Sequence, residues 1–147
     1  MINSLLFIQV IKMKTFIMKN HFLSFFLYLV GLHSILVGIG LIILPLSYFS
    51  LFGFDQVTEK FFPVQGGVFH IVMSIAYFLA GRDPVKNNVL VIFSIIVKLC
   101  ATIFLIVFYF TISSTWMILL SAIADCFMCV TIYYMYTYQL KKNNNHE

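Results

Sequence analysis

VLVIFSIIVKLCATIFLIVFYF, residues 89–110, holds a single charged residue, Lys98, in an otherwise apolar run. About 20 apolar residues are enough for a helix to cross the hydrocarbon core of a bilayer, and this run reaches that length without a proline or glycine. An ionisable group in hydrocarbon costs about 3 kcal/mol or more, so Lys98 marks a site and demands a partner. The complement stands in the next run. From Trp116 to Tyr138 the only charged residue is Asp125.

Working outward, the composition agrees. The 147 residues are 62% hydrophobic and 10% charged, whereas soluble domains carry about 25% charged residues. A soluble fold is excluded. The formal net charge of +4 does not indicate nucleic acid, because no polar domain exists to hold a basic patch; the excess reports topology instead. Cys100, Cys126 and Cys129 all lie in apolar runs and read as small buried thiols. Cys126 and Cys129 form a C-x-x-C pair, but a mid-span thiolate is costly, which argues against redox or metal chemistry there.

Four spans are expected, at about 21–46, 62–80, 88–110 and 116–139. Residues 1–20 form a basic, amphipathic segment: Leu5 to Ile11 is too short to span, and Lys12, Lys14 and Lys19 follow it, the wrong order for a signal peptide. Met13 and Met18, each followed by lysine, are alternative starts. Pro45 ends the first span. Residues 47–62, rich in aromatics, predict a short interfacial helix or re-entrant turn. Pro63 opens the second span, and Gly81-Arg82-Asp83-Pro84 stops it. Thr111 to Thr115 is a tight turn that makes spans three and four neighbours. Residues 141–147 are expected to be a disordered tail.

Charge sets the orientation. Lys12, Lys14, Lys19, Arg82, Lys86, Lys141 and Lys142 fall on one side, Lys60 on the other, and Lys98 within the membrane, which accounts for the nine lysines and arginines. The positive side is cytoplasmic. The fold expected is all-α: a four-transmembrane-helix bundle, antiparallel up-down, with both termini cytoplasmic. The apolar runs are continuous rather than alternating, which argues against a membrane β-barrel.

Depth and helical face bring the ionisable groups together. Counted along their helices at about 1.5 Å per residue, Lys98, Asp125, His33 and His70 all fall near mid-membrane. Residues four apart share a face. Ser94, Lys98 and Thr102 line up on span three, and Ser121, Asp125 and Cys129 on span four. Gly66, His70, Ser74 and Tyr77 form a stripe on span two. On span one, His33 aligns with Val37 and Gly40. The candidate site is therefore Lys98, Asp125, His70, His33, Ser74, Tyr77, Ser94, Thr102 and Ser121. No catalytic or metal-ligating set is visible: there is no nucleophile triad, phosphate loop or closed zinc spacing.

Pro63-x-Gln65-Gly66-Gly67, Ala76-Tyr77, Gly81-Arg82-Asp83-Pro84, Lys98 and Asp125, taken in order, resemble the small DoxX-like four-helix membrane proteins, a resemblance covering residues 22–140. It implies a four-helix bundle in the bacterial inner membrane, in a group some of whose members are associated with quinone-linked oxidoreductases or redox stress. Where the family often carries an arginine near the second-helix glycines, this chain has Gln65 and His70.

Three functional readings follow. The first is a mid-membrane site for a small solute or quinone-like ligand, for which intramembrane polar layers are the usual location. The second is an accessory subunit of a membrane complex, in which the Lys98–Asp125 pair only fixes helix packing. The third is a redox subunit with His33 and His70 as axial ligands of a haem. The expected partners are the lipid bilayer and a second copy or a membrane complex, with no nucleic acid, and a non-enzymatic role is favoured. The sequence names no cofactor.

Overall fold

A computed structural model describes residues 2–54 and 57–144, with side chains placed from Phe22 to Lys141 outside the gap. Among the described residues the regular elements are all helices, without strands: α1 (Ile2–Ile43), a 3-10 helix (Leu46–Phe52), α2 (Phe61–Arg82), α3 (Asn88–Thr111) and α4 (Trp116–Asn144). Four stretches are long and apolar enough to cross a membrane: Phe22–Ile43, Phe61–Arg82, Asn88–Thr111 and Trp116–Lys141. Large apolar side chains such as Phe25, Leu36, Val72, Ile103 and Phe127 are exposed along them. In a chain of this hydropathy those side chains face lipid, as a multi-pass membrane protein requires.

The boundaries have local causes. Helix α1 stops at Ile43, short of the expected residue 46, because the residue before Pro45 is driven out of the α region. The 3-10 helix takes the place of the expected interfacial element. Gly53 ends it at φ 85°, where its N–H reaches the Ser50 carbonyl, a left-handed conformation that suits glycine. In the α2–α3 turn the Asn87 side-chain amide donates to the Leu79 carbonyl at 2.8 Å, capping an otherwise orphaned helix end. Helix α4 runs on to Asn144, beyond the expected end at 139 and into the expected tail. The α1 backbone is likewise one continuous helix from Ile2. The amphipathic character expected of residues 1–20 depends on side chains outside the described ones.

The helices pair unequally. Helix α1 packs intimately on α2, and α3 on α4, whereas α2–α3 and α1–α4 meet sparsely. The α1–α2 contact is a glycine crossing. A Cβ added to Gly38 would lie 2.7 Å from the Gly67 carbonyl oxygen, and one added to Gly67 would lie 2.6 Å from that of Gly38. Small residues of this kind let membrane helices approach backbone to backbone. The register continues through Gly31 against Phe78 and Gly81 against Leu27. Leu23, Leu27, Val30, Tyr77, Ala80, Val91, Met128 and Ile132 form one buried cluster, which closes the end of the bundle where Ala80 lies. At the opposite end Thr115 donates to the Gly53 carbonyl, tying the 3-10 helix to the α3–α4 turn.

Candidate functional site

Lys98 and Asp125 meet. The ammonium nitrogen lies 2.5 Å from Asp125 Oδ1, and the side chains are 4% and 14% exposed. The α3 stripe forms as its spacing predicts, with Val91, Ser94, Lys98 and Thr102 all buried. The ammonium also stands 5.7 Å from the centre of the Tyr77 ring, within range of a cation–π attraction. Tyr77 itself is 1% exposed.

His70 is oriented by a residue the sequence reading passed over. The Ser34 hydroxyl donates to the His70 carbonyl oxygen at 3.0 Å and lies 3.2 Å from His70 Nδ1. A hydroxyl has one proton to give. With it on the carbonyl, the serine oxygen is placed to accept from Nδ1–H. Helix α1 therefore contributes a serine to the interior where a histidine was expected: Ser34 is buried and His33 is exposed. One residue turns a helix by about 100°, and the stripe α1 presents inward runs through Leu27, Gly31, Ser34 and Gly38.

These groups border a cavity of about 280 Å³, lined by Ser34, His70, Tyr77, Lys98 and Asp125 together with Phe69, Met73, Val97, Ala101, Phe104 and Leu105. All four helices contribute, but most of the wall belongs to α2 and α3, across the sparse seam. The other expected site residues stand apart from it. Ser74 bonds to the Ile71 carbonyl, Ser94 to that of Leu90 and Thr102 to that of Lys98. Each satisfies its hydroxyl on its own helix, the local solution open to serine and threonine in apolar surroundings. Ser121 is half-buried and outside the lining. His33 is outside it too, so the structure does not bring both imidazoles to this space. Cys126 is exposed and Cys129 buried, both as free thiols, and the Cys129 thiol points to the Ile95 carbonyl. No group of three histidine, cysteine or acidic residues suited to a metal occurs among the described residues.

The arrangement offers a neutralised ion pair, a phenol, an imidazole and apolar walls. That is a set of groups for orienting a small molecule. No family model, curated protein or solved structure matches this chain.

Proposed function

We propose that the chain is a DoxX-like protein of a bacterial inner membrane, an antiparallel up-down bundle with both termini cytoplasmic, whose mid-membrane cavity binds a small solute or quinone-like ligand. The observation that carries this reading is the cavity itself: Tyr77, His70 and the Lys98–Asp125 pair gather around open space at one depth. A pair needed only for packing has no reason to border a cavity, since voids lose dispersion contacts. The orientation rests on the seven-to-one partition of basic residues. Family membership rests on the order of the short motifs.

The accessory reading has one observation of its own. Lys98 is 3% exposed and its charge is met within the protein, as a register-fixing pair would be. Mass measurement separates the two. Protein extracted from its own membranes in mild detergent carries a stoichiometric small molecule on the ligand-site reading, and a Lys98→Met/Asp125→Leu double variant of unchanged helicity loses it. A wild-type protein free of any such molecule, with a fully functional double variant, favours the accessory role.

A further inference from the structure

Resting on that reading, we infer that the ligand comes from the bilayer, passing sideways between α2 and α3, and that it is a neutral, lipid-soluble carbonyl compound whose oxygen accepts a hydrogen bond from Tyr77. Four observations lead there.

The first is the mouth. Phe69 of α2 and Phe104 of α3 both line the cavity and are 61% exposed on the lipid-facing surface. The space therefore reaches the outside between these two helices. Within the spans, no side-chain hydrogen bond among the described residues joins α2 to α3; the one described bond between them, Asn87 to the Leu79 carbonyl, lies at the turn.

The second is the closed end. Leu27, Val30, Val91 and Ile132 are at most 2% exposed, and they pack shut the end of the bundle below Tyr77. Water-borne solute has no opening there, whereas lipid-dissolved solute has one at the mouth.

The third is charge. Lys98 is the one cation at the cavity and Asp125 the one carboxylate, and they are already joined. The site presents no net charge, so a charged ligand would enter without a counterion at a depth where that is costly.

The fourth is the phenol. Tyr77 is 1% exposed, yet its hydroxyl has no hydrogen-bond partner among the described residues. It is not among the unpartnered polar atoms that are fully buried, so it keeps some accessible surface, and Tyr77 lines the cavity. A buried donor left unmade is costly, and in mid-membrane no bulk water relieves it. A carbonyl oxygen does. The cavity's 280 Å³ is just below the roughly 300 Å³ at which drug-sized pockets begin. It holds a ring-sized head, and any longer tail stays in the lipid.

The test uses the full chain in liposomes and two photoreactive ketones. 4-Dodecylbenzophenone partitions into the bilayer, and benzophenone-4-carboxylate is supplied from water. On irradiation the excited ketone takes a hydrogen atom from a nearby C–H, and the two carbon radicals join. The dodecyl probe is expected to label the peptide containing Met73, and the carboxylate is not. Tyr77→Phe should reduce the labelling about fivefold, the weight of one neutral hydrogen bond. Ala101→Phe, or Leu105→Trp if that variant folds better, should abolish it by filling the space. Far-UV circular dichroism and monodisperse elution confirm that each variant is folded. Undiminished labelling of folded Tyr77→Phe overturns the docking role of Tyr77 and leaves the binding site standing. Labelling by the carboxylate alone overturns the bilayer source. No labelling by either probe overturns this inference, while the mass measurement above decides separately whether a ligand site exists.

Discussion

Breaking the Lys98–Asp125 pair one partner at a time should cost far more than replacing both. At 2.5 Å and an effective dielectric of about 20, the gross attraction is about 7 kcal/mol. Desolvation of the two ions consumes several kcal/mol each, so the intact pair stands near balance against an apolar substitute. A single substitution removes the attraction and keeps one buried charge. Lys98→Met and Asp125→Leu should each destabilise the protein by about 3–5 kcal/mol, and the double variant should fall within about 1 kcal/mol of wild type. The two singles should also differ. The Lys98 side chain is 4% exposed and that of Asp125 14%, so the stranded lysine of Asp125→Leu is the more thoroughly sealed charge, and that variant should be the weaker.

The assay is reversible unfolding in mixed micelles by SDS titration, followed by far-UV circular dichroism for all four corners of the cycle. Two losses of that size almost recovered in the double variant correspond to a coupling energy of about 5 kcal/mol or more. If the two losses simply add in the double variant, with coupling below about 1 kcal/mol, the pair does not hold α3 against α4, and the energetic reasoning fails.

The glycine crossing gives a sharper contrast. Gly67→Ala should cost about 1–3 kcal/mol through overpacking against the Gly38 carbonyl, whereas Gly40→Ala, whose new Cβ meets nothing nearer than 3.9 Å, should be neutral or stabilising by up to about 1 kcal/mol; the same micelle titration reads both. Ser34→Ala should cost about 1 kcal/mol by stripping His70 Nδ1 of its partner, and His33→Leu should cost less, the opposite of what the order expected from sequence would give. In the α2–α3 turn, the Lys86 backbone N–H and, less strongly, its ammonium hold the Asp83 carboxyl below its ordinary range. Its contribution to the turn is therefore present above the unfolded value of about 3.9 and is lost as pH falls through the lower folded one. A 13C titration of Asp83 should give a midpoint below that of a free aspartate, and Lys86→Pro, which deletes the donated N–H, should raise it.

What could be read from the sequence was what chemistry makes obligatory. One cation and one carboxylate inside hydrocarbon have only each other, so Lys98 and Asp125 announce their contact across 27 residues of chain. The face of α3 follows from the same residue, because Ser94 and Thr102 lie one turn either side of it. Helix α1 gave no such anchor. It is apolar around its whole circumference, so periodicity does not choose between His33 and Ser34, and a lone histidine looks more informative than a serine. The small residues Gly31, Ser34 and Gly38 were the available signal, since close packing selects small side chains. The hydroxyls of Ser74, Ser94 and Thr102 are buried, as members of a polar layer would be, but they turn to their own helices. Sharing a face with an ionisable residue does not make a hydroxyl a ligand when its own helix supplies a carbonyl. The cavity was invisible because it depends on which helix pairs pack closely, a property of pairs and not of single stripes.

That pairing also explains why a cavity can persist here. Helix α1 is held to α2 by reciprocal glycine contacts and by Ser34 on His70. Helix α3 is held to α4 by the ion pair and by Cys129 on Ile95. Apart from the Tyr77 hydroxyl, these polar groups are met within their own hairpin, so within the spans the seam carries no side-chain hydrogen bond among the described residues, only the approach of the Lys98 ammonium to the Tyr77 ring, and apolar packing joins the hairpins at the Ala80 end. A membrane offers little hydrophobic drive to close the remainder, since lipid tails are as apolar as the facing side chains. The seam is thus the place where opening costs least, and it runs past the unpartnered phenol of Tyr77. A molecule seated there would touch both hairpins at once, Tyr77 and His70 on one side and Lys98 and Asp125 on the other. It would supply the hydrogen bond across the seam that the described residues do not make within the spans.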